Sequence, residues 1–71
     1  MTREHEVDGY TVVFTPWHSE YMNDDFIALR IIHEGKEVLH SGMGKHEPSE
    51  ERARELVEGY KELSKAILED E

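Results

Sequence analysis

Hydrophobic and polar positions alternate through the first two thirds of the chain and switch to a helical spacing in the last third. In Tyr10-Thr11-Val12-Val13-Phe14-Thr15, the residues Tyr10, Val12 and Phe14 share one face at a period of two, and the β-branched and aromatic content predicts a strand. Pro16 is expected to end it, because proline cannot donate to a ladder, and a polar stretch then carries the chain to Asp25. Residues 26–32 put Ile27, Leu29 and Ile31 on one face and Phe26, Ala28, Arg30 and Ile32 on the other, the pattern of a central strand. Glu34-Gly35 separates this run from a third, beginning at Lys36, and a glycine able to take positive φ predicts a hairpin there. Two registers fit. A two-residue loop pairs Ile31 with Val38 and turns His40 toward the core, whereas a three-residue loop with a glycine bulge sets Leu39 opposite Leu29 and points His40 away.

Beyond the linker from Gly42 to Glu47, Pro48-Ser49-Glu50-Glu51 has the ingredients of a helix start: a proline, a serine cap and acids in the first turn. Ala53, Leu56, Val57, Tyr60, Leu63, Ser64 and Ile67 then recur at spacings of three and four, an apolar stripe with one polar member. Gly59 interrupts this helix at about 1 kcal/mol relative to Ala. The expected architecture is α+β: a three-stranded antiparallel meander over residues 7–15, 26–33 and 36–42, with one C-terminal amphipathic helix over 49–69 packed on one face, a βββα order.

Length makes this a single small domain spanning residues 1–71, with a thin core, since a chain of this size buries only about 60% of its unfolded surface. The chain has no cysteine, which excludes disulfide staples, thiolate metal sites and a cysteine nucleophile. No stretch approaches the roughly 20 apolar residues of a membrane span, so a cytoplasmic location in a prokaryotic host is the expectation. Seventeen acids against eight lysines and arginines give a net charge of −9, which repels nucleic acid and anionic lipid and favours a basic partner.

That acidity has a location. At about 100° per residue, Glu51, Glu55, Glu58, Glu62 and Glu69 fall opposite the apolar stripe, interrupted only by Lys65, and form a carboxylate rail. Its plain alternative is an ordinary solvated helix face. Residues 16–25 hold the single Trp17, together with Tyr21 and Met22, among the acids Glu20, Asp24 and Asp25. Aromatics of this kind serve as interface anchors, or else fold back to cap the edge of a small core. The second sheet face, with Val13, Phe26, Ala28 and Ile32, has no further helix to cover it and is a candidate homodimer or partner surface.

Catalytic and metal chemistry find no support in the spacing. The five histidines, His5, His18, His33, His40 and His46, form no H-x-x-x-H or H-E-x-x-H pair, so no metal site and no cofactor is expected. Ser41-Gly42-Met43-Gly44-Lys45 lacks the phosphate-loop pattern, and the following Glu47, Glu50 and Glu51 repel an anion. His18, Ser19 and Glu20 are adjacent on the chain and cannot converge on one atom.

A short antiparallel sheet followed by an acidic helix, here residues 10–15, 26–32, 37–41 and 49–69, resembles in build several phage-encoded inhibitors of bacterial defence, among them DNA-mimicking anti-CRISPR proteins. The resemblance implies a non-enzymatic inhibitor that occupies a partner's basic, nucleic-acid-binding surface through Glu51, Glu55, Glu58 and Glu62, the loop acids Glu20, Asp24 and Asp25, and Trp17 and Tyr21. The start, Gly9-Tyr10-Thr11-Val12-Val13-Phe14, is also similar to HicB-like antitoxin domains, which implies instead a small oligomeric regulator. The strand that follows the helix in that family has no counterpart here.

Overall fold

The computed structural model describes residues 1–69, with side chains as far as residue 67. Four strands run in chain order, β1 Arg3–Val7, β2 Tyr10–Ser19, β3 Asp24–His33 and β4 Lys36–Gly44, followed by one helix, α1 Glu50–Glu69. They form one antiparallel meander in the order β1-β2-β3-β4, so the α+β class and the C-terminal helix stand and the strand count is corrected from three to four. The additional strand is β1. Asp8 and Gly9 both take positive φ, 49° and 82°, in a two-residue turn between Val7 and Tyr10. Such a turn matches the right-handed twist of the strands it joins, and an Asp-Gly pair is one of its strongest signals. Pairing on β2 therefore turns a charged segment into an edge strand, with Glu4 and Glu6 outward and His5 and Val7 inward.

Pro16 does not end β2. It lies within the strand opposite Ile27. Counting from the hydrogen-bonded pair Val7–Tyr10 that closes the turn, alternate residues of β2 aim their N–H groups at β1, and Pro16 falls on that side. The last paired residue of β1 is Arg3, opposite Phe14, so the proline removes no ladder bond. The expected long loop shrinks to residues 20–23, closed by Asn23 at φ 51° and by the Met22 amide donating to the buried Ser19 hydroxyl at 3.2 Å.

The β3–β4 hairpin has the two-residue turn, with Glu34 at φ 53° and Gly35 at φ 78°. A bulge after Ile32↔Glu37 then places Val38 as an extra residue, so Ile31 pairs with Leu39 and Arg30 with His40. Neither simple register holds. The bulge keeps both Val38 and Leu39 against the core and turns His40 outward.

The core lies between the sheet and α1, where Val7, Val12, Phe14, Leu29, Ile31, Ala53 and Val57 are buried. Ser49 caps the helix, its hydroxyl accepting from the Arg52 amide at 3.0 Å. Tyr10 fixes the middle of α1, stacking on His33 at 4.1 Å and meeting Tyr60 edge-on at 5.9 Å. Only part of the predicted stripe is core. Ala53 and Val57 are fully buried and Leu56 and Tyr60 partly so, but Leu63 and Ile67 are each 57% exposed. The cause is placement: α1 leans on β1 and β2, leaving the inner side of β4 beside its C-terminal half uncovered.

The outer face is less open than the pattern of Val13, Phe26, Ala28 and Ile32 suggests. Val13 and Phe26 are buried, and Ala28 and Ile32 are half-buried. The Trp17 ring lies 5.4 Å from Phe26, Lys45 sits 4.2 Å above the Phe26 ring, and Arg30 pairs with Glu37 at 2.7 Å. Long side chains thus do part of the covering that a second helix does in larger folds.

Candidate functional site

The cap at Ser49 and the burial of Ala53 and Val57 fix the rotation of α1, and this rotation decides where its charges point. Glu51, Glu55, Glu58 and Glu62 are all exposed, on the side away from the core. Arg52 reaches Glu55 at 3.2 Å and Arg54 reaches Glu50 at 3.4 Å. Lys61 turns the other way, donating to Asp8 of the β1–β2 turn at 3.1 Å; that hydrogen bond raises its pKa above the usual 10.5. Among the described residues, Glu55 is therefore the one rail glutamate held in an ion pair. Among the described residues, Glu58 and Glu62 form no ion pair. Glu69, expected to extend the rail, lies outside the described side chains.

The other acids sit on a separate part of the surface and are partly neutralised. Asp24 pairs with Lys45 at 2.9 Å, and this contact, helped by the Asp25 amide, holds its carboxyl below the ordinary value of 3.8. Asp25 accepts from or pairs with His18 Nδ1 at 2.8 Å, while its carbonyl accepts from Lys45. Glu20 is exposed on the β2–β3 turn. Lys45 thus ties the segment between β4 and α1 to the start of β3 through a carboxylate, a carbonyl and an aromatic face at once.

The two aromatic candidates part company. Trp17 belongs to β2 and is 39% exposed; its Nε1 donates to the Gly42 carbonyl at 2.7 Å, so its ring spans β3 and shields Phe26. Tyr21, at 99% exposure on the turn, packs against nothing. Trp17 thereby serves the fold with part of one ring face left over, and Tyr21 is free for contact.

One surface escaped the sequence reading because it belongs to a stripe assigned wholly to the core. Val38, Leu39, Tyr60, Leu63, Ser64 and Ile67 line a groove of about 360 Å³ between β4 and α1. Its signal in the sequence was only the length of the stripe, which runs on past the part of α1 that rests on β1 and β2. Among the described residues no cluster of three or more histidines and carboxylates is placed to hold a metal ion, and no helix is long and apolar enough to cross a membrane. The class defined by fold and site is an antiparallel four-stranded meander carrying one acidic helix. No protein family, curated protein or solved structure matches the chain.

Proposed function

We propose that this protein acts by binding another protein rather than by catalysis, laying the glutamates of α1 on a basic surface that otherwise holds nucleic acid. The observation that carries this reading is the solvent face of α1, where Glu51, Glu55, Glu58 and Glu62 stand exposed over three turns and, among the described residues, Glu51, Glu58 and Glu62 form no ion pair. Neighbouring members are spaced by about 5 to 6 Å along the helix, a repeat that suits a row of lysines or arginines arranged for phosphates. Like charges at this spacing cost a few tenths of a kcal/mol per pair, and a basic partner relieves that repulsion on binding. With a net charge of −9, association is steered, fast and sensitive to salt. The likeness in build to phage-encoded inhibitors of defence enzymes points the same way, toward occupation of an effector's nucleic-acid channel.

The test is a pull-down at low salt from a bacterial lysate, with the native chain and a Glu51→Lys/Glu58→Lys variant as baits. The variant breaks no ion pair, so both baits should melt within a few degrees of each other. A nucleic-acid-binding protein retained by the native bait, released by competing DNA and lost by the variant is the expected outcome. Equal retention by both baits sinks the reading.

A further inference from the structure

The groove beside α1 is apolar at its base and acidic along one rim. Leu63 and Ile67, each more than half exposed, stand over Val38 and Leu39 of β4. Paired exposed aliphatics facing a concave apolar wall leave a surface that a partner's side chains can fill. At about 100° per residue, Gly59 and Ala66 lie on α1 between this groove and the rail, and Glu55 and Glu62 form the rail's near edge. Apart from its chain neighbours and the backbone of α1 itself, nothing lies within 4 Å of where a Cβ on Gly59 would be, so the rim there is low and open to a close backbone approach. Arg54, Lys61 and Lys65 fall on the opposite flank of α1, and Lys61 is engaged by Asp8. Arg52, the one base on the groove side, is engaged by Glu55, which leaves Glu62 unneutralised.

We propose that this groove receives a single amphipathic helix of a partner protein, its apolar face on Leu63, Ile67, Val38 and Leu39 and its lysines or arginines along Glu55 and Glu62. These two glutamates lie two turns apart, about 10 Å, so bases at i and i+7 of the incoming helix reach both. A strand is the poorer occupant, because the bulge at Val38 and the second register shift between Ile27 and Leu29 interrupt the β4 edge it would pair with. A second copy of this chain is disfavoured by charge, since each copy brings the same acidic rim and a net −9. The inference rests on the rail reading for the sign of the partner's charge, and the groove contact itself is independent of it.

Three synthetic peptides of equal length serve as probes: one of leucine and lysine with the leucines at alternating three and four spacings, one of the same composition scrambled, and one with every lysine replaced by glutamate. Titration is followed by calorimetry and by backbone amide shifts on the native chain and on Leu63→Gln. Because Leu63 is exposed, the variant should keep its melting temperature and every acid of the rail. The expected result is binding of the first peptide with shifts centred on Val38, Leu39, Tyr60 and Ile67, at least tenfold weaker binding of the scrambled and acidic peptides, and at least a tenfold loss in Leu63→Gln. Undiminished binding to Leu63→Gln, equal binding of the acidic peptide, or shifts centred on Trp17 overturn the proposal. So does sedimentation showing a dimer of the native chain that Leu63→Gln dissociates. Leu63→Gln leaves every glutamate of the rail in place, and Glu51→Lys/Glu58→Lys leaves the groove lining, Glu55 and Glu62 in place, so failure of one reading is distinguishable from failure of the other.

Discussion

Gly59→Ala isolates one feature of α1 with little else disturbed. Glycine in a helix interior is less favourable than alanine by about 0.8 to 1.0 kcal/mol, chiefly through the freedom it keeps in the unfolded chain. Whether a protein gains the whole of that difference depends on what the new methyl meets. At Gly59 it meets nothing within 4 Å beyond its chain neighbours and the backbone of α1, and the residue is exposed, so no overpacking subtracts from the gain. Both neighbouring turns are held by tertiary contacts, through buried Val57 on one side and the Lys61–Asp8 pair on the other, so residue 59 is helical in the folded state and its propensity counts in full. The expected stabilisation is about 1 kcal/mol, or a rise of roughly 4 to 8 °C in melting temperature for a domain of this size. In urea the midpoint should move up by about 0.5 to 1 M at unchanged slope, given slopes of about 1 to 2 kcal/mol/M for small proteins. An unchanged or lowered midpoint refutes the reasoning, for it would mean that α1 is not formed through residue 59 or that something already occupies the space above it.

Three further outcomes follow from the same contacts. Ser49→Ala removes the acceptor for the Arg52 amide and should cost about 1 kcal/mol, read as a urea midpoint shift that Ser49→Asp largely restores. His5→Leu should stabilise by about 1 kcal/mol at neutral pH, because His5 Nε2 is buried without a hydrogen-bond partner beside Phe14; loss of stability in urea titration would show that the imidazole has a partner in solution. The Asp24–Lys45 contact makes stability depend on pH at the acid end. Its lowered carboxyl pKa means that the contribution is fully present above 3.8, the ordinary value, and is lost as pH falls below 3.8 through the folded value. Lys45→Met should therefore flatten the decline in melting temperature across that window, and an equally steep decline counts against the contact.

The sequence by itself determined the elements whose signals are local. The Ser49 cap with its following acids set the start of α1, the Glu34-Gly35 pair set a tight hairpin, and the helical spacing set the rotation that puts Glu51, Glu55, Glu58 and Glu62 in water. The Asp8-Gly9 turn is an equally local signal, but the expected strand over residues 7–15 runs through it, because the charged run Arg3-Glu4-His5-Glu6 has no strand character until β2 lies beside it. What only the tertiary structure decided depends on where neighbouring elements end. Pro16 sits inside β2 because β1 stops short of it, and His40 points outward because the bulge at Val38 shifts the face of the residues that follow it as far as Ser41, where a second register shift begins. Trp17 closes over Phe26 because Gly42 offers a carbonyl across the sheet. The apolar stripe of α1 divides into core and groove for the same kind of reason. A helical pattern states which side is apolar, whereas the width of the sheet and the position of the helix on it state how much of that side is covered. With α1 resting on β1 and β2, Ala53 and Val57 are enclosed, and Leu63 and Ile67 are left at the edge of an open groove.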